Sequence, residues 1–103
     1  MSQPLAVDIL YKWFKDNANT FSNEDGVQME FRDSGNGAGF VRVDTYAFMS
    51  DIQVKDKDYR IEIERINRDT DEVTFPYAGT CDSQAEFDKQ LAEFIAWFES
   101  AHA

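Results

Sequence analysis

Apolar and polar side chains alternate with a period of two through much of residues 27–77, and no other feature constrains the fold as strongly. Val27, Met29 and Phe31 alternate with Gln28, Glu30 and Arg32, and Val41, Val43 and Thr45 alternate with Arg42 and Asp44. A third run follows at 50–55, with Ile52 and Val54. A fourth spans 59–66, with Tyr59, Ile61 and Ile63 on one face and Arg60, Glu62 and Glu64 on the other. Successive strand side chains point to opposite faces, so these runs predict a sheet with one apolar and one polar face. Ile66 breaks the parity, which predicts a bulge near Arg65. A fifth short run, Val73, Phe75 and Tyr77, contains Pro76; without an N–H to donate, proline belongs on an edge strand. The connectors Lys55-Asp56-Lys57-Asp58 and Arg68-Asp69-Thr70-Asp71-Glu72 are short and polar, so neighbouring strands run antiparallel.

The period changes to that of a helix on both sides of this block. At 3–19, Leu10, Trp13 and Phe14 follow Leu5 and Ala6 at helical spacing, with Ser2 placed to cap and Pro4 tolerated in the first turn. Asn17, Asn19, Ser22 and Asn23 then break the pattern. At about 84–100, Phe87, Leu91, Phe94, Ile95 and Phe98 share a face behind Ser83-Gln84-Ala85-Glu86, which fits a capping box. The expected fold is α+β: an antiparallel meander of four to five strands with an N-terminal and a C-terminal helix, in a single domain covering residues 1–103. Trp13, Phe14, Phe87, Phe94 and Phe98 are the expected aromatic core.

Charge narrows the function classes. Twenty acidic side chains against ten basic give a formal net charge of −10. That balance opposes nucleic acid and anionic membranes, both of which need Lys/Arg clusters, and favours encounter with a basic protein. The lone cysteine, Cys81, forbids an internal disulfide and is expected as a buried or half-buried thiol. The start MSQPLAVDILYKWF lacks a signal-peptide pattern, and no apolar run nears the ~18 residues of a membrane span. The expected location is cytoplasmic.

Of five glycines, three fall in Ser34-Gly35-Asn36-Gly37-Ala38-Gly39-Phe40. A dinucleotide-binding turn needs G-x-G-x-x-G leading from a strand into a helix, and a P-loop ends in Lys-Ser/Thr. Here the spacing is G-x-G-x-G and a strand follows, so the segment reads as a hairpin bend whose glycines supply positive φ. Asn67, Asp69, Asp71 and Glu72 resemble the start of a calcium loop, but neither frame places Gly sixth and Glu twelfth, so a solvated turn is expected. His102, the only histidine, stands next to the last residue, and no His/Cys set for zinc or Cys–His pair elsewhere is available. Glu62 and Glu64 share a strand face but are interleaved with Arg60, as on a solvated sheet. No catalytic residue, cofactor site or metal site is expected. The stretch DTYAFMSDIQVKDKDY mixes aromatics and carboxylates, as protein-binding patches do.

From about residue 41 to 98 the chain resembles the TriTu family of bacterial immunity proteins. The features carrying the resemblance are DIQVKDKDY before a hairpin, the long strand RIEIERI, and a Ser-capped helix of the form S-x-x-E-F-x-x-x-L-x-x-F. The resemblance implies a cytoplasmic antidote to an Rhs-type toxin delivered by type VI secretion. The toxin linked to that family is an ADP-ribosyltransferase that modifies elongation factor Tu, and the antidote binds the toxin domain, blocking access to NAD or to its target. On this basis the exposed sheet face and its hairpin are the expected toxin-binding surface, with Asp44, Asp51, Asp56, Asp58, Glu62 and Glu64 supplying charge and Tyr46 and Tyr59 as anchors. The competing readings are an acidic phage anti-defence inhibitor mimicking DNA, an enzyme that reverses the toxin's modification, and a housekeeping adaptor.

Overall fold

A computed structural model describes residues 5–22 and 26–101. The elements follow in the order α1 (Ala6–Ser22), β1 (Gln28–Gly35), β2 (Ala38–Asp44), β3 (Phe48–Lys55), β4 (Arg60–Asn67), β5 (Val73–Thr80) and α2 (Gln84–Ala101), with one 3-10 turn, Lys57–Tyr59, before β4. The strands form a single sheet in sequence order, each antiparallel to the next. The fold is therefore the expected α+β meander between two helices, with five strands. The anticipated cap Ser2 and first-turn Pro4, as well as Asn23 and His102, lie outside the described residues.

The alternation decides which face is covered. Val41, Val43, Ile52, Val54, Ile61 and Ile63 are buried beneath Ala6, Val7 and Leu10 of α1 and Phe87, Leu91, Phe94 and Phe98 of α2. Met29 and Phe31 of β1 extend this layer, with Phe31 packed on Tyr11 and Phe14. Trp13 and Phe14, expected in the core, are only partly buried and pack against it. Each of the fully buried large side chains is worth about 1.5–3 kcal/mol in transfer from water, and the helices supply most of the cover.

Both helices start at the same end of the sheet and run the same way. The Val7 amide at the start of α1 donates to Asp56 Oδ1 at 2.9 Å, after β3, and Cys81, just before α2, donates its amide to the carbonyls of Asp58 and Tyr59. At the far end Trp97 of α2 meets Phe48 at 5.2 Å between ring centroids, and Arg65 lies over the Trp97 ring at 4.0 Å. Removal from water pulls the Arg65 guanidinium below its ordinary pKa. Ser83 caps α2 as expected, its Oγ accepting from the Glu86 amide at 3.3 Å. Cys81 is buried, with Sγ 3.7 Å from the Tyr77 hydroxyl; burial pushes the thiol up, and the contact with Cys81 pushes Tyr77 up to about 12.

The glycine-rich segment is a two-residue hairpin. Gly35 pairs with Ala38 around Asn36-Gly37, both at positive φ (56° and 75°), the Asn-Gly signature of a type I′ turn. Gly39 serves packing instead. A Cβ there would sit 3.1 Å from the Arg32 carbonyl and 3.3 Å from Val7 Cγ1, so its bare backbone lets α1 approach the sheet. The register shift expected near Arg65 does fall between Ile63 and Arg65, but the extra residue belongs to β5, where Thr74 rather than Phe75 opposes Arg65. Because β3 and β4 stay in unbroken register, Ile66 points away from the helices beside Met49.

Candidate functional site

Among the described residues, no helix covers the second face of the sheet. Its side chains stand in rows set by the strand register. One row is Gln28, Asp44, Met49, Ile66 and Val73; the next is Glu30, Arg42, Asp51 and Glu64; the third is Arg32, Phe40, Gln53, Glu62 and Ala78. The face thus combines a band of carboxylates on the central strands with arginines to one side and apolar side chains among them.

Asp51 is the electrostatic focus. It lies directly between Arg42 and Glu64 in its row, and like charges opposite one another across strands repel. Its carboxyl is held above the ordinary aspartate range, first by partial burial and then by Glu64, with a smaller push from Glu62; the Gln53 side chain and Arg42 pull the other way. Asp44 Oδ1 and Asp51 Oδ1 are closed off from solvent without accepting a hydrogen bond. Leaving such an oxygen unpaired costs on the order of 1–3 kcal/mol. The partly exposed carboxylates of Asp44, Asp51, Glu62 and Glu64 would gain from a cationic donor. Arg32 is engaged with Glu30 at 3.8 Å, which leaves the centre, Asp51 to Glu64, as its most electronegative part.

Of the eight residues expected at a binding surface, Asp44, Asp51, Glu62 and Glu64 share this face. Tyr46 sits beside its Asp44 edge, in the tight turn between β2 and β3, and is 81% exposed. Thr45 organises that turn, its Oγ accepting from the amides of Ala47 and Phe48. The Tyr46 ring lies against Gly26, where any side chain would collide with it. Asp58 is exposed but stands at the opposite end, in the 3-10 turn at φ 59°. Asp56 and Tyr59 are placed structurally. Asp56 is half-buried, accepts from the Val7 amide and donates its own amide to the Gly37 carbonyl at 2.8 Å, joining α1, β3 and the glycine hairpin. Tyr59 turns inward, its ring 5.8 Å from that of Phe87. Both were expected on the surface; the bond from the Val7 amide instead commits Asp56 to the fold, and Tyr59 follows the phase it shares with Ile61 and Ile63.

Three apolar members of the face, Phe40, Met49 and Ile66, were missed. Parity held the signal for all three: Phe40 shares its phase with Arg42 and Asp44, Met49 with Asp51 and Gln53, and Ile66 with Glu62 and Glu64. On the other side of the molecule, α1 and α2 leave between them a groove of about 650 Å³, which alternation in the strands could not have revealed. Its floor includes Ile9, Trp13, Leu91 and Ile95, and Asp8, Asp16 and Asp88 stand at its rim.

Among the described residues, no group of three or more His, Cys, Asp and Glu side chains converges as a metal site, and no helix is long and apolar enough to cross a membrane. The chain matches no protein-family model, no curated protein and no solved structure.

Proposed function

We propose that this protein is a cytoplasmic immunity protein that neutralises an ADP-ribosyltransferase toxin by binding it stoichiometrically. The observation carrying this reading is the grouping of Asp44, Asp51, Glu62 and Glu64 on a sheet face that no helix covers, with Phe40, Met49 and Ile66 among them. The identity of the partner rests on the resemblance of residues 41–98 to TriTu immunity proteins, which points to an Rhs-type toxin acting on elongation factor Tu.

Inhibition of this kind breaks no bond. It needs a complex that outlasts the toxin's next encounter with NAD or with its protein target. Apolar anchors at the centre of an interface of roughly 1,600 Å² supply residence time, and the acidic band speeds encounter with a basic surface. Binding a cation beside Asp51 would offset the repulsion from Glu64. The strain of holding these charges together in the free protein is relieved on association. A DNA mimic is less well supported, because Arg32 and Arg42 stand in the same rows as the carboxylates and Lys55 pairs with Arg60 in the next row of the same face.

The test is co-expression with the candidate toxin domain, followed by pull-down and by assay of elongation factor Tu modification. Wild type should co-purify at one-to-one stoichiometry and suppress modification. A Phe40→Ala, Glu62→Lys, Glu64→Lys variant that keeps its circular dichroism spectrum should lose both. Retained binding would move the interface elsewhere, and removal of existing ADP-ribose by the purified protein would establish an enzyme instead.

A further inference from the structure

The groove between the helices lies on the side opposite the acidic sheet face, and its construction is different. The two helices run in the same direction and meet through Trp13 and Phe94, 5.9 Å apart edge to face. The groove beside that contact follows α1 from Asp8 to Asn17, roughly 13.5 Å at about 1.5 Å of rise per residue. That length matches two to three turns of a further helix. Its floor is apolar: Trp13 and Ile95 are half-buried and Leu91 is buried. Two parallel helices with an apolar trough between them offer ridges on both sides for a third to pack against.

The charge around the trough is one-sided. Asp8 and Asp16 line the α1 edge and Asp88 the α2 edge, all exposed. The cation among the lining side chains, Lys12, is bonded to Asp16 at 3.1 Å. Lys12 and Asp16 offset each other, so Asp8 and Asp88 leave the rim negative, whereas the sheet face mixes arginines into its rows.

We propose that this groove is a second docking surface, one that takes a short amphipathic helix of a protein partner with aliphatic anchors on one face and Lys or Arg flanking them. The anchors enter over Trp13 and Ile95 at helical i, i+3, i+4, i+7 spacing, and the flanking cations meet Asp8, Asp16 and Asp88. Charge complementarity selects the basic helix over an acidic or neutral one of the same apolar pattern. The surface is independent of the sheet face, so failure of either proposal leaves the other standing.

The experiment is an NMR titration of the isotope-labelled full chain with a synthetic leucine–lysine helical peptide three turns long, and with a leucine–glutamate peptide of identical leucine spacing. The leucine–lysine peptide should shift the resonances of Ile9, the Trp13 indole, Leu91 and Ile95 while sparing Phe40 and Met49. The leucine–glutamate peptide should bind at least tenfold more weakly. Asp16→Lys with Asp88→Lys should weaken the first peptide at least tenfold, and Ala92→Trp, which fills the trough from an exposed position, should abolish groove shifts; both variants are checked for an unchanged melting temperature. The proposal is overturned if neither peptide shifts the groove, if both bind equally, if the shifts map to the sheet face, or if sedimentation shows the groove already covered by a second copy that Ala92→Trp releases.

Discussion

The two faces of the sheet are built from the same strands, residue by alternate residue, yet they obey different rules. On the helix side, Val41, Val43, Ile52, Ile61 and Ile63 are removed from water and meet side chains that fit them. On the other side, Asp51 stands beside Glu64 with its carboxyl pushed upward, and Phe40, Met49 and Ile66 remain partly exposed. Folding alone would select against the second arrangement, since like charges facing across strands and closed-off, unpaired oxygens both lower stability. A face that departs from the rules its neighbour keeps is where binding is to be sought.

Substitutions can break or sharpen that contrast. The largest effect is expected for Phe94→Ala, which empties a fully buried ring site between Trp13 and Trp97; urea denaturation should show a loss of about 3–5 kcal/mol. Gly39→Val comes next. Valine is the better strand residue, but its Cβ would press on Val7 and the Arg32 carbonyl. A loss of about 1–3 kcal/mol is expected as α1 is forced away, and a gain would mean that α1 does not depend on that close approach. Phe40→Ala on the uncovered face should cost less than Phe94→Ala, about 1–2 kcal/mol, because the ring is only partly buried in the free protein. A loss as large as that of Phe94→Ala would make the face structural and erase the distinction.

The smallest effect, with the most informative sign, belongs to Asp51→Asn. The folded-state pKa of Asp51 is raised, so between the ordinary value of 3.8 and that raised value the folded form binds more protons than the unfolded chain. Asp51 therefore makes stability fall as pH rises through this window and leaves a constant penalty above it. Asp51→Asn should stabilise the protein at neutral pH, with the gain disappearing as the pH drops toward the unfolded value. Melting temperatures across pH 3–7 would reveal it, and a destabilised Asn variant at neutral pH would mean that Arg42 outweighs burial and Glu64.

Much of the fold was legible because period-two and helical patterning survive intact in the sequence. The strands were placed within a few residues, and parity alone separates Ile61 and Ile63 from Glu62 and Glu64. The candidate site was legible only in part. Asp44, Asp51, Glu62 and Glu64 alternate with core residues and so had to emerge on the far face. Asp56 lies where alternation stops, and its destination depends on a contact with α1, distant in the chain; Tyr59 shares its phase with Ile61 and Ile63, so parity pointed its ring inward, against a role as a surface anchor. The groove was invisible for a related reason: it depends on how far apart two helices settle, which no single helix's pattern contains.

The bond from the Val7 amide to Asp56 spans 49 positions of chain. While the polypeptide leaves the ribosome, the leading turn of α1 has no acceptor from that quarter until the third strand has been synthesised. Closing so long a loop carries an entropic penalty that local helix formation cannot offset. The start of α1 is thus tied down only once β1, β2 and β3 have been made, ahead of β4, β5 and α2.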